Sequence, residues 1–172
     1  MEDRLFQKIL VPVDYSPCSE EAFRVAMSMA RVFQSEVILL HVVDTKTLLA
    51  LNTLGLVLPS EEREQKKRLR HHARLQARRL LSSDDAKGVT IRRLLAEGSP
   101  FVEIARTVRT EKISLVVMGS YGEVGGVDRI FFGSTAEKVV RTAGCPVLTV
   151  PLAHTVSSQR MTVGTRPKEN QR

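Results

Sequence analysis

The sequence predicts a doubly wound α/β domain, in which an open parallel sheet carries helices on both faces. Apolar runs such as KILVPVD (residues 8–14) and VILLHVV (residues 37–43) alternate along the chain with stretches of helical periodicity. The runs are dominated by Val, Ile and Leu instead of alternating apolar and polar residues. That composition is typical of strands buried on both faces of a parallel sheet.

Strands and helices follow one another in a regular order. Five strands are predicted, at residues 8–14, 37–43, 89–95, 115–118 and 146–150. Four helices are predicted between them, at residues 16–33, 61–81, 100–109 and 134–142. The first helix start is marked by Ser16, which can cap it, and by Pro17, which suits the first turn. Ser99 and Pro100 open the third helix in the same way.

The second helix combines an apolar face with a strongly basic surface. Its apolar face is predicted from the spacing of Leu69, Ala73, Ala77, Leu80 and Leu81. Residues 61–79 contain eight Lys or Arg against three Glu, in a chain of net charge +7. Such a surface attracts nucleic acid or an acidic membrane. We favour a solvated helix face, because the stretch has no aromatic residue to stack on bases, so nucleic acid is not an expected partner.

The length of 172 residues suits one domain, and 42% hydrophobic composition supplies a core. We expect residues 1–152 to form this domain and the polar, basic residues 153–172 to be a disordered tail. The N-terminus, MEDRLFQK, lacks the apolar stretch of a signal peptide, so a cytoplasmic location is expected, without membrane association. Cys18 and Cys145 have no metal-ligand spacing and are expected to be free thiols.

A glycine-rich segment, MGSYGEVGGVDRIFFGST (residues 118–135), joins the fourth strand to the fourth helix. Glycine allows a ligand to approach the main chain closely, and a helix N-terminus offers unpaired N–H groups to an anion. Gly133, Ser134 and Thr135 therefore indicate a phosphate site. The alternative is a surface loop in which Ser134 is an ordinary N-cap.

Two familiar nucleotide-binding motifs are absent from the places where they would be expected. A dinucleotide fold carries GxGxxG after its first strand, where this chain has DYSPCSEE. A P-loop needs a lysine before the Ser or Thr, and no lysine precedes Ser134. A site that holds phosphate through backbone N–H groups and hydroxyls, without that lysine, favours binding over fast phosphoryl transfer.

The sequence resembles the universal stress protein family. The resemblance rests on ILVPVDYS, LLHVV, the Gly98-Ser99-Pro100 turn and MGSYG…GSTAEKVVRTAGCPVLTVP, and it spans residues 7–151. It implies a five-stranded parallel sheet in the order 3-2-1-4-5, which puts Asp14 beside Gly119. It also implies ATP, with or without Mg²⁺, as the ligand.

The resemblance assigns a set of nucleotide-binding residues, with those of the first two strands at the ribose and adenine and the glycines and hydroxyls at the phosphates. They are Pro12, Val13, Asp14, Val42, Val43, Met118, Gly119, Gly122, Gly133, Ser134 and Thr135. The ATP-binding branch has nine residues between its second and third glycines, whereas this chain has ten, at positions 123–132.

Three functions stay open at this point: a nucleotide-binding stress sensor or regulator, which we favour, a slow ATP hydrolase, and a regulatory dimer without nucleotide. Family members often dimerise through their last strand, here residues 146–151, which begin and end with Pro146 and Pro151. Antiparallel pairing there would cover an apolar edge. A further, unidentified protein partner is expected for a regulator.

Two side chains have both structural and functional interpretations. Asp14 at a strand end either caps the next turn or accepts ribose hydroxyls, and we favour the ligand role. His41 lies inside an apolar strand, where a hydrogen-bonded core histidine is expected instead of a catalytic base.

The apolar segment of residues 48–58 also has two interpretations. It either forms a short helix that covers the crevice or the surface of a partner, or it packs on its own sheet.

Overall fold

One or two helices separate successive strands along the part of the chain that the structure, a computed structural model, describes: residues 5–56, 58–121 and 132–152. The strands are β1 (Lys8–Pro12), β2 (Glu36–Val43), β3 (Ile91–Glu97), β4 (Leu115–Gly119) and β5 (Val147–Val150). The helices are α1 (Pro17–Phe33), α2 (Lys46–Thr53), α3 (Pro59–Leu81), α4 (Pro100–Glu111) and α5 (Ser134–Thr142), with a 3-10 turn at Asp84–Ala86.

The strands form one sheet in the order β3-β2-β1-β4-β5, and every neighbouring pair is parallel. This order confirms the topology that the family resemblance implies. β1 pairs with β2 from Lys8↔Glu36 to Pro12↔Leu40, and with β4 at Ile9↔Leu115 and Leu10↔Val116. The strand order therefore reverses at β1: β2 and β3 are added on one side of it, and β4 and β5 on the other.

Helices cover both faces of the sheet, as predicted. Alternate strand residues such as Ile9 and Leu39 pack with α1 and the end of α3 on one face. Their neighbours, such as Leu10 and Ile38, pack with α4 and α5 on the other face. Because a parallel strand alternates its side chains between faces, two separate cores result from one run of apolar residues.

The start of α1 confirms the capping prediction. Ser16 is the N-cap, its hydroxyl oxygen accepts a hydrogen bond from the Ser19 backbone N–H at 3.3 Å, and Pro17 lies in the first turn. This bond satisfies one of the backbone donors that a helix N-terminus otherwise leaves unpaired.

Several predicted boundaries are wrong by about two residues. β1 ends at Pro12 instead of residue 14, although the Val13 N–H still donates to the Leu40 carbonyl at 2.8 Å. β3 covers Ile91–Glu97 instead of residues 89–95, because its pairing with β2 continues to Val43↔Glu97. The predicted helix at residues 61–81 begins two residues earlier, and the one at residues 100–109 ends two residues later.

The apolar face of α3 is only partly as predicted. Ala73, Ala77 and Leu80 are buried against the sheet, but Leu69 is 43% exposed. Leu69 lies one turn before the part of α3 that contacts the sheet, so helical spacing alone assigned it wrongly to the core.

The apolar segment of residues 48–58 contains the end of α2, so it does include a short helix, whereas a position of that helix at the crevice or a partner surface stays a prediction. Asn52 on α2 donates to the Glu62 carboxylate of α3, and Leu54 and Leu58 between the helices are exposed. Within the described ranges no helix is both long and apolar enough to cross a membrane. The predicted tail, residues 153–172, lies outside the described residues.

Gly119 at the end of β4 allows α1 to lie very close to the sheet. A Cβ atom on Gly119 would stand 3.0 Å from the Cys18 Sγ and 3.1 Å from the Cys18 backbone carbon. Cys18 is a buried free thiol that donates to the Val150 carbonyl at 3.2 Å, so it ties α1 to β5 across β4. Cys145, the second free thiol, packs against the core on the other face.

His41 links β2 to the end of β1. Its Nδ1 lies 2.8 Å from the Val13 carbonyl oxygen, and its ring stacks at 4.8 Å on Tyr15. A carbonyl only accepts, so Nδ1 carries the proton. The predicted hydrogen bond of His41 is thus confirmed, although the ring is half-buried instead of lying fully in the core.

Replacing Gly119 by Val should lower the free energy of unfolding by about 1–3 kcal/mol, because the new side chain collides with the Cys18 backbone. Denaturant unfolding measures this change. The matched control is Thr149→Val in the neighbouring β5, which should change the value by less than about 0.5 kcal/mol. Equal stability of the two variants would contradict the close approach.

Burial lowers the pKa of His41 below 6.5, against smaller opposing effects of the Val13 carbonyl and Asp14. Below about pH 6.5 the unfolded chain therefore binds more protons than the folded chain, so the free energy of unfolding falls as pH falls. Urea unfolding between about pH 7.5 and pH 5.5 should show this slope, and His41→Gln should reduce it. Parallel pH profiles for the two proteins would reject the assignment.

Candidate functional site

The carboxyl ends of β1 and β4 lie side by side in the sheet, at the point where the strand order reverses. From β1 the chain passes to α1 on one face, whereas β4 precedes α5 on the other face. In an open α/β sheet the connecting segments diverge at such a point and leave space for a ligand. The strand order therefore predicts a crevice between the ends of β1 and β4.

Pro12, Val13 and Asp14 follow one another at the end of β1. Pro12 and Val13 are buried, and both backbone polar groups of Val13 already have partners, in Leu40 and His41. A carbonyl oxygen has two lone pairs, so the Val13 carbonyl still has capacity for one further donor.

Asp14 is exposed at the crevice and also caps the turn that follows. Its Oδ1 accepts from the Ser16 backbone N–H at 3.1 Å and from the Ser16 hydroxyl at 2.6 Å. The capping interpretation is therefore correct, but it does not exclude a ligand. A carboxylate has about four acceptor positions, and at least two of them are used by Ser16.

Val42 and Val43 lie at the carboxyl end of β2, next to β1. Val42 is half-buried against the α4 and α5 core, and Val43 is buried. The Val43 carbonyl accepts from the Gly98 N–H at 3.1 Å, which fixes the turn into α4. Because neighbouring strand residues face opposite sides, Val42 points to the same face as α5.

Met118 and Gly119 lie at the end of β4 and are both buried. Met118 is 5% exposed and belongs to the α4 and α5 core, while the space in front of Gly119 is filled by Cys18 of α1. The requirement for glycine at 119 is thus explained by helix packing.

Ser120 is a residue that the sequence-based site did not include. Its N–H donates to the Val150 carbonyl at 3.0 Å, and its carbonyl accepts from the Gly133 N–H at 2.8 Å. This second bond brings the start of α5 to the end of β4. The signal in the sequence was its position directly after the buried strand.

The N-terminus of α5 opens at the crevice. Gly133 is the N-cap, with extended backbone angles of φ −62° and ψ 148°. Ser134 is the first helical residue, so the interpretation of Ser134 as an N-cap is wrong. A glycine cap has no side chain to offer the first-turn N–H groups, so a ligand anion can take that role. Ser134 is exposed and Thr135 is half-buried.

Two lysines, of which Lys138 is on α5, lie near Phe101 of α4 and were also missed. The Lys138 ammonium is 4.8 Å and the Lys46 ammonium 5.7 Å from the ring centroid of Phe101. Lys138 follows Ser134 by four positions, which is one helical turn. Both add positive charge on the α4 and α5 face.

The structure thus brings together the end of β1, the end of β4 and the start of α5. Gly122, a predicted phosphate contact, lies outside the described residues. No group of three or more potential metal ligands among His, Cys, Asp and Glu is found in residues 5–56, 58–121 and 132–152.

Comparison with known proteins agrees with this architecture. The universal stress protein family matches residues 5–151. Universal stress protein MJ0531 of Methanocaldococcus jannaschii is 34% identical over 154 residues, which cover 86% of this chain and 84% of the relative. Universal stress protein MJ0577 of the same organism is 29% identical over 155 residues, covering 85% and 95% of the two chains.

Solved structures give the same result. The structure of MJ0577 has a TM-score of 0.72 at 26% identity and covers 88% of this chain and 99% of its own. Two others share the fold: a universal stress protein in complex with cAMP (TM-score 0.57, 21% identity, 87% and 99% covered) and Arabidopsis thaliana At3g01520 with AMP bound (0.51, 18%, 90% and 97%). This chain belongs to the universal stress protein family.

Proposed function

We propose that the protein binds ATP, with or without Mg²⁺, in the crevice between β1 and β4, and that it acts as a sensor or regulator in the stress response. One observation carries the proposal. The glycine-capped N-terminus of α5 is hydrogen-bonded, through Gly133 and Ser120, to the end of β4 at the edge where β1 also ends.

The N-terminus of α5 is suited to binding the phosphates of the ligand. The first-turn N–H groups and the positive end of the helix dipole favour an anion at this position. The Ser134 and Thr135 hydroxyls add donors, and Lys138 lies one turn further along the helix. Gly122 remains a proposed phosphate contact on the basis of the sequence.

The nucleoside is assigned to the ends of β1 and β2. Asp14 is exposed there and can accept ribose hydroxyls while it retains its bonds to Ser16. Val42 supplies an apolar surface for adenine on the same face as α5. The cAMP and AMP complexes of two proteins with this fold support an adenine nucleotide as the ligand class.

Binding without rapid turnover follows from the same groups. The proposed phosphate contacts are backbone N–H groups and hydroxyls, with no lysine immediately before Ser134. These groups neutralise less of the charge that develops in phosphoryl transfer than a P-loop does. We therefore assign the protein a sensing role.

The signal is proposed to pass to a second copy of the chain and from there to a partner protein. β5 is the edge strand of the sheet next to β4. Leu148 on this strand is 37% exposed. Antiparallel pairing of two β5 strands would cover this edge. Nucleotide contacts at α5, which packs beside β5, would bias that surface.

Asp14→Asn separates the ligand role of Asp14 from its capping role. Asparagine keeps an oxygen that accepts both bonds from Ser16 but loses the charge that strengthens bonds to ribose hydroxyls. We expect adenosine and ATP to bind about tenfold more weakly, measured by isothermal titration, with unchanged stability. The matched control is Asp44→Asn, since Asp44 also caps a turn at this edge, by accepting from the Lys46 N–H at 3.0 Å. Equal affinities for the two variants would remove Asp14 from the site.

Gly133→Val places a branched side chain at the α5 N-terminus. The observed backbone angles of Gly133 are allowed for valine, so the fold should persist. ATP should lose most of its advantage over adenosine, because the valine obstructs the first-turn N–H groups. Titration of both ligands tests this, with Val140→Ala on the exposed side of α5 as control. An unchanged ratio of ATP to adenosine affinity would reject the phosphate site.

A further inference from the structure

A second concave region lies between α3 and the β2–β3 side of the sheet, on the α1 and α3 face. It has a volume of about 680 Å³, which is within the range of small-molecule sites. We call it the arginine groove, because Arg74 and Arg78 of α3 and Arg92 and Arg93 of β3 line it. The proposed phosphate site lies at the start of α5, on the opposite face.

The floor of the arginine groove is apolar. Leu39 of β2 and the α3 residues Ala73 and Ala77 form part of it and are 2%, 3% and 8% exposed. The two alanines are too short to fill the space between the helix and the outer strands. Leu95 of β3 lines the groove as well and is 40% exposed. An apolar ligand surface would therefore be removed from water here.

The inner wall is uncharged but polar. The Tyr15 hydroxyl donates to the Ala73 carbonyl at 3.1 Å, and Tyr15 stacks on His41. Burial raises the pKa of Tyr15 to about 12, against a smaller opposing effect of Arg93, and burial lowers the pKa of His41. Both rings are therefore neutral near pH 7, and the charge of the groove is carried by its arginines.

Arg74, Arg78 and Arg93 differ from the other arginines nearby. Arg68, Arg70 and Arg79 of α3 form ion pairs with Glu64, Glu97 and Glu20, respectively, and Arg92 of the groove pairs with Glu36 and Glu111. In contrast, none of Arg74, Arg78 and Arg93 lies within 4.0 Å of an acidic side chain of the described residues. Arg74 and Arg78 are one helical turn apart on the same face. Uncompensated positive charge is thus concentrated at an apolar groove.

We propose that the arginine groove binds a small amphipathic anion, whose hydrocarbon or aromatic body lies on the apolar floor and whose carboxylate or phosphate group is held by Arg74, Arg78 and Arg93. Guanidinium groups bind both kinds of head group through paired N–H donors. A simple inorganic anion would leave the floor unused, and a neutral apolar compound would leave the arginines unused.

Isothermal titration of the full chain with octanoate, octyl phosphate and 1-octanol tests both parts of this proposal. We expect saturable binding of octanoate or octyl phosphate, and at least about tenfold weaker binding of 1-octanol and of inorganic phosphate. The stronger of the two anions identifies the head group. Binding of 1-octanol or inorganic phosphate as strong as that of both octyl anions would overturn the proposal, as would no saturable binding of either anion.

Two arginine variants locate the site. Arg78→Ala should weaken the preferred octyl anion at least about fivefold, whereas Arg68→Ala, on the same helix but outside the groove, should leave its affinity unchanged. Both side chains are exposed, so thermal unfolding should be nearly identical. Equal affinities of the two variants would refute the assignment. Because ATP binding is measured separately, failure here is distinguishable from failure of the proposed nucleotide site.

Discussion

The central position of β1 determines the arrangement of the other elements. β1 is hydrogen-bonded to β2 on one side and β4 on the other, and its residues Ile9, Leu10 and Val11 are fully buried. Parallel strands on both sides require crossover helices on both faces. The crevice between β1 and β4 is thus a consequence of strand order. The side chains around it lie at the ends of strands that are held in place by the two cores on the faces of the sheet.

Close packing at the carboxyl ends of β4 and β5 fixes the positions of α1 and α5 beside the crevice. Gly119 lets α1 approach β4, and the Cys18 thiol joins α1 to the β5 carbonyl of Val150. Ser120 then joins β5 and α5 to the end of β4 through two backbone bonds. The N-terminus of α5 is consequently fixed relative to the strands, which is the condition for a preorganised anion site.

The sequence was sufficient for the elements whose signals are local or strongly periodic. Runs rich in Val, Ile and Leu predicted every strand, and the Ser16-Pro17 pair predicted the start of α1, because capping depends on adjacent residues. Leu69 was misassigned, since periodicity does not show where a helix leaves the sheet. Ser134 was misassigned as a possible cap because only backbone angles distinguish the cap from the first helical residue. The arginine groove depends on α3 and β3 lying together, a long-range contact that local patterns do not contain.

Isothermal titration of ATP, AMP and adenosine into the wild-type protein, after removal of any co-purified nucleotide, tests the proposed phosphate site. We expect one ATP per chain with roughly micromolar affinity, and binding at least about tenfold weaker for adenosine because it lacks the phosphates that α5 would hold. Absence of binding, or equal affinity for ATP and adenosine, would contradict a phosphate site at the α5 N-terminus.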